Sequence, residues 1–222
     1  MITPYQVGPP NLDRKMEQTD GASQASIPPG FPKNRMEALS DGIFAFAMTL
    51  LVLSLDVPEG ARNISNAAVV TMLIGQLPGF YHYLLAFFIL ASFWIAHHVQ
   101  VDRLRQIDRT FLWINIATLM FVTLVPFSVS LIGDYPDELF AAIAFEMNLL
   151  AIGLLFAIQW RYATHNRRLV HPGTDIQRGK QRVMVVPAVS VVAILLALAG
   201  MTWSTAAYAL IPLVMHFLPG KR

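Results

Sequence analysis

Long apolar runs alternate along the chain with short polar gaps that carry nearly all the charge, and the runs have helix rather than strand length. Residues 43–55 and 147–160 contain no charged side chain at all. Several runs approach or exceed the roughly 18–20 apolar residues that a helix needs to cross a bilayer. The pattern predicts an all-α polytopic membrane protein with six spans. The first covers residues 35–57 and stops at Pro58, with Asn34 placed to cap it and Glu37 near its positive end. Residues 61–79 mix Ser, Asn and Thr with aliphatics and include Pro78, which predicts a short interfacial helix entering the second span with a kink. The remaining spans are expected at 80–98, 110–132 (with Pro126 near its far end), 139–160, 183–198 and 202–218. Only Ala199-Gly200-Met201 separates the last two, which requires a tight helical hairpin.

Residues 1–34 are polar and broken by Pro and Gly, and read as a flexible tail preceding a transmembrane domain at 35–222. Composition strengthens the membrane assignment: only 14% of the 222 residues are charged, against about 25% in soluble domains. The absence of cysteine excludes disulfides, thiol catalysis and Cys-based metal sites. A net charge of +2 is too small to argue for nucleic acid.

Six spans put every basic residue but Arg62 on one side: Arg14, Lys15, Lys33 and Arg35, then Arg103, Arg105 and Arg109, then the loop from Arg161 to Arg182, then Lys221 and Arg222. By the positive-inside rule both termini are cytoplasmic, as expected of a multi-pass protein of the plasma membrane. The opposite loops are acidic, with Asp56 and Glu59, then Asp134, Asp137 and Glu138. An acidic mouth would concentrate cations; equally, acidic residues fall where basic ones are excluded.

The segment from Arg35 to Leu53 is the most specific in the chain. Arg35, Ser40 and Asp41 form an Arg-x-x-x-Leu-Ser-Asp motif, followed in the second span by Phe93-Trp94-Ile95-Ala96-His97-His98 and in the third by Asn115, Leu119 and Pro126-Phe127. In this order these residues resemble the transmembrane protein 175 family of endolysosomal and prokaryotic potassium channels, over residues 35–130. Leu39 stands where that family usually has Phe. The resemblance implies a homotetramer of six-span subunits whose first helices surround a central pore, with apolar rings as its narrow points. It further implies potassium as the permeant ion, passage of other monovalent cations or protons, and no cofactor. The usual potassium filter sequence is absent.

Helical spacing places Phe46, Thr49, Leu50 and Leu53 on one face of the first helix. The resemblance assigns Phe46 to the first constriction, Thr49 to a polar layer, and Leu50 and Leu53 to further apolar layers. Phe46 is bulkier than the Ile or Leu usual there. Taken alone, such a stripe is ordinarily helix packing or lipid contact.

Arg35, Asp41, His97 and His98 fall near the basic ends of their helices. The resemblance makes Arg35, Ser40, Asp41 and one of the His pair a hydrogen-bonded network that holds the first helix to its neighbours. Asn115 is expected to bond across helices. Adjacent His97 and His98 point about 100° apart, and no His-Glu-x-x-His pattern accompanies them, which argues against a catalytic metal. Glu146 in the fourth span could be neutral and buried, part of a proton path, or, most simply, a satisfied contact at a helix interface. Trp94, Trp113, Trp160 and Trp203 are expected in an aromatic belt.

The function expected is a potassium-preferring cation channel with the lipid bilayer and other copies of the chain as partners. A secondary transporter or proton-coupled carrier is the rival, and would favour broken helices around a polar midplane site. No nucleophile–base pair or metal cluster supports an enzyme.

Overall fold

The computed structural model describes residues 32–55, 65–211 and 214. Arg14, Lys15, the rest of the predicted tail up to residue 31, Asp56, Val57, Pro58, Glu59, Arg62, Lys221, Arg222 and, of the sixth span, residues 212, 213 and 215–218 lie outside the described residues.

Among the described residues seven named α-helices follow in order: α1 Lys33–Leu50, α2 Asn66–Gly75, α3 Leu77–Asp102, α4 Arg109–Thr123, α5 Val125–Asp134, α6 Leu139–Thr164 and α7 Ile176–Leu198. With α4 and α5 counted as one continuous span, five stretches are long and apolar enough to cross a membrane among the described residues. The 26 residues of α3 extend roughly 39 Å at 1.5 Å per residue, which exceeds a hydrocarbon core of about 30 Å.

Proline explains both internal breaks. Pro126 has no N–H to donate and its ring crowds the carbonyl four residues back, so α4 ends and α5 restarts around Leu124. Pro78 is tolerated because it occupies the first turn of α3, directly after α2 closes on Gln76. The expected short helix before the second span is thus present, and α3 begins earlier than residue 80.

Three expectations need correction. Lys33 opens α1 with Pro32 at its N-cap and no side-chain cap, so Asn34 lies inside the first turn. The helix also does not run on to Val57: its α-geometry ends at Leu50, a 3₁₀ turn covers Leu51–Ser54, and Leu55 is extended. Finally, the sixth span does not begin as an α-helix. Gly200, at φ +83°, closes α7, with Met201 N–H on the Leu196 carbonyl at 3.0 Å. Ser204–Ala209 then winds as 3₁₀. Its Ser, Thr and Tyr are weak helix formers, and the three-residue repeat turns Thr205 and Tyr208 together into the core.

The main core is apolar and draws on α1, α3, α6 and the helices beside them, through Phe44, Leu90, Phe93, Leu149, Ile152 and Phe156. A smaller core closes the basic end, where Met36 meets Leu104, Phe111 and Leu169. Backbone pairing ties the two loops there: Arg105 N–H to the Leu169 carbonyl at 2.8 Å and His171 N–H to the Arg103 carbonyl at 3.0 Å. Lys33 Nζ donates to the Leu104 carbonyl at 3.4 Å, placing the start of α1 at this same end.

Asp108 anchors this end. It caps α4 through Phe111 N–H at 2.9 Å and accepts from Tyr162 Oη and from Arg168, each at 2.6 Å. Partial burial pushes its carboxyl upward, but the Tyr162 hydroxyl, the Phe111 N–H and the Arg168 guanidinium together outweigh it and hold the group below its ordinary value. A depressed carboxylate contributes stability above its unfolded pKa, and that contribution disappears as pH falls through the folded value.

Close approach of α6 and α7 depends on glycine. A Cβ on Gly179 would lie 1.9 Å from Trp160 Cζ2, and one on Gly153 would lie 2.9 Å from Pro187 Cδ. Trp160 is therefore buried between the helices, donating to the Ile176 carbonyl at 3.2 Å, and is not part of an exposed belt.

Two outcomes follow for thermal unfolding in detergent. Gly179→Ala displaces Trp160 and lowers stability by about 1–3 kcal/mol, as overpacking does. Asp108→Asn keeps the cap but removes the charge that Tyr162 and Arg168 bond, lowering the midpoint near neutral pH by an amount corresponding to about 1 kcal/mol, and the gap to the unsubstituted protein closes as pH drops below the ordinary carboxylate range.

Candidate functional site

The inward face of α1 is set by Met36, Ser40, Phe44, Ala47 and Leu51, all buried at helical spacing. The opposite face carries Leu39, Gly42, Phe46, Thr49 and Leu53, all exposed, and Phe46 and Leu53 remain 62% and 69% accessible within the single chain. Leu50 sits at the edge of this stripe and is half-buried. Thr49 returns its hydroxyl to the Phe46 carbonyl at 2.8 Å. Arg35 lies at the foot of the same stripe, exposed, and makes no side-chain hydrogen bond or ion pair with the described residues.

The polar residues read as one network separate into two sets. The first is fully buried. Asn115 Nδ2 donates to Ser40 Oγ at 3.1 Å, and Ser40 Oγ in turn donates to the Met36 carbonyl at 2.9 Å. Asn115 Oδ1 is 2.9 Å from His97 Nε2. Because the amide nitrogen is already committed to Ser40, the oxygen must accept, so Nε2 carries the proton. Aromatic rings enclose this imidazole: Phe44 with its centroid at 6.0 Å and Phe156 edge-on at 6.1 Å. One amide thereby joins α1, α3 and α4.

The second set is exposed. Asp41 Oδ1 accepts from Trp94 Nε1 at 2.8 Å and lies 4.0 Å from His98 Nδ1. Sequence neighbours thus serve different sets, since the angular step between His97 and His98 turns one inward and the other out. Trp94, expected in the belt, also serves Asp41; its four-residue spacing from His98, one turn along the same face of α3, is the sequence signal that links it to that set.

A further buried layer escaped the sequence reading. Gln159 of α6 donates to Thr118 Oγ1 at 2.7 Å and accepts from Gln100 Nε2 at 3.2 Å. Thr118 follows Asn115 by three residues, so both layers are stacked on one face of α4. Amides in otherwise apolar helices were the available signal. Glu146 differs from the simplest expectation, a satisfied contact: it is buried, and neither carboxyl oxygen forms a well-aligned hydrogen bond among the described residues, although the Ser204 hydroxyl lies beside it.

Residues 35–126 match the family model described as endosomal/lysosomal potassium channel TMEM175. The chain is 33% identical to a protein of Chamaesiphon minutus named a potassium channel, over 64% of this chain and 70% of that one. It is 31% identical to a Streptomyces collinus protein also named a potassium channel, over 64% and 69% respectively. Its fold superposes on the crystal structure of a lysosomal potassium-selective channel TMEM175 homolog from Chamaesiphon minutus with a TM-score of 0.74, at 27% identity, covering 85% of this chain and 98% of that one. With the motif residues of α1, α3 and α4 lying inside the matched region, the chain belongs to the TMEM175 family.

Proposed function

We propose that the protein is a potassium-permeable, potassium-preferring cation channel, a homotetramer in which the outward stripe of α1 lines a central pore. The observation that carries this reading is the make-up of that stripe. The exposed faces of α3 and α7 are built of large apolar side chains, Leu84, Phe88 and Ile95 on the one and Val191, Leu195 and Leu198 on the other, as lipid contact favours. The α1 stripe instead interleaves Gly42 and Thr49 with Phe46 and Leu53. Small and polar residues between bulky ones suit close approach of helices in a membrane. Four copies would stack Phe46, Thr49, Leu50 and Leu53 as rings, and apolar rings gate by dewetting.

In this reading Ser40, Asn115 and His97 hold the pore helix from behind. Asp41, with Trp94 and His98, fixes its exposed flank. Arg35 belongs to the subunit contact, because it starts the same stripe and pairs with no described carboxylate of its own chain. Both termini are cytoplasmic and the membrane is the plasma membrane, as the gathering of basic loops at the start of α1 supports. Potassium is the permeant ion, and no cofactor is required.

Ionophore-driven flux from potassium-loaded liposomes tests the proposal. The protein should give flux above empty vesicles and less with sodium, and Phe46→Ala should raise the potassium signal several-fold by widening the first ring. Flux that ignores substitutions at Phe46, Thr49 and Leu53 would keep a channel but remove α1 from its pore.

Glu146 favours a second reading, a proton-coupled carrier, since a buried carboxyl with no ion-pair partner among the described residues can bind and release a proton. Under the channel reading Glu146→Gln leaves potassium flux unchanged; loss of transport with the fold intact would favour the carrier.

Support from behind is tested separately. Asn115→Ala breaks two buried hydrogen bonds and should cost about 1–3 kcal/mol in unfolding experiments, with reduced flux. His98→Ala, on the exposed flank, should change stability far less.

A further inference from the structure

Between α3 and α7, floored by α6, lies a cleft of about 320 Å³. Its walls are apolar, including Ala96 of α3, Phe156 of α6 and Val186 of α7. At the basic end of the bundle two guanidinium groups border it, Arg103 and Arg182. Neither forms an ion pair among the described residues, whereas Arg168 and Arg178 each have a carboxylate at 2.6 and 3.0 Å. Arg103 stacks over the Trp160 ring at 5.6 Å, which fixes its charge at the cleft mouth. Burial and the neighbouring Arg182 both lower the Arg103 pKa, against a smaller opposing pull from Asp175, whose carboxylate is already engaged by Arg178. One turn deeper, Gln100 lines the cleft; it is 4% exposed, and its Oε1 has no partner among the described residues.

An apolar slot capped by two unpaired cations, at the end of the helices where headgroups lie, complements one class of molecule. We propose that this cleft is a binding site for an anionic phospholipid, with its phosphate between Arg103 and Arg182 and an acyl chain along Ala96 and Val186. A zwitterionic lipid brings its own cation to the same point and meets repulsion from both arginines. A soluble anion would gain nothing from the apolar walls. The cleft lies behind α3, away from the outward face of α1, so the inference stands apart from conduction.

Native mass spectrometry of the purified full chain, supplied with equal amounts of phosphatidylglycerol and phosphatidylcholine, tests it directly. Phosphatidylglycerol should be retained in clear preference. The double substitution Arg103→Gln/Arg182→Gln should weaken that retention roughly tenfold or more. Arg105→Gln/Arg161→Gln, at the same basic end but outside the cleft, should leave it nearly unchanged. Ala96→Phe keeps both cations and fills the slot, and should also displace the lipid. Melting curves of each variant confirm that it is folded. Equal loss from the two arginine pairs would mean diffuse attraction to the basic end and would overturn the site. So would retention by Ala96→Phe, or a photoreactive side chain at Val99 that links to a second copy of the chain instead of to lipid.

Discussion

The arrangement of the bundle turns on the side-chain amide of Asn115. Helices in lipid gain no hydrophobic free energy from meeting each other, because the surrounding acyl chains are as apolar as their own surfaces. Close packing and polar bonds must fix their relative rotation. Asn115 does so for three helices at once, donating to Ser40 and accepting from His97. Its two ends are chemically distinct, so neither helix can slip by a residue without leaving a buried polar atom unpaired. Phe44 lies one turn beyond Ser40 and packs against the same imidazole, so the polar bond and the apolar contact specify one rotation of α1.

That rotation has consequences on both sides. With Ser40 held inward, the opposite face of α1 is committed to Phe46, Thr49 and Leu53. The change to 3₁₀ geometry at Leu51 adds roughly 20° of turn per residue. Leu53 stays exposed while Leu51 closes the core. Behind α4, the Gln100–Gln159–Thr118 layer repeats the device with α6, so α4 carries two stacked polar anchors. Where α6 meets α7 the solution is steric: Gly153 and Gly179 admit Pro187 and Trp160.

Much of this was legible in the sequence, and the remainder fails for identifiable reasons. Apolar periodicity located the spans, because a membrane demands long uncharged helices whatever they pack against. The Pro126 break and the Gly200 reversal were equally local in origin. The end of α1 at Leu50 was not visible: no proline or glycine marks it. The separation of Arg35, Ser40, Asp41, His97 and His98 into sets also needed coordinates, since spacing gives faces but not which face meets which helix. Trp160 was misplaced for the same kind of reason. A tryptophan near a span end suits a belt, and only the distant Gly179 provides the gap that buries it.

Exposure by itself does not identify a pore. Phe140 and Trp203 are 78% and 73% accessible, more than Phe46 at 62%, and nothing about them points to ion passage. What sets α1 apart is a combination. Its outward face mixes small and polar residues with bulky ones, while its inward face is fixed by hydrogen bonds that define the rotation precisely enough for such a mixture to matter. A lipid-facing helix can turn by tens of degrees at little cost, since one apolar side chain serves as well as another. A ring of side chains about a shared axis cannot. The buried Ser40–Asn115–His97 bonds therefore do more than hold α1 in place: they fix its rotation, and with it which side chains, Phe46, Thr49 and Leu53 among them, face outward.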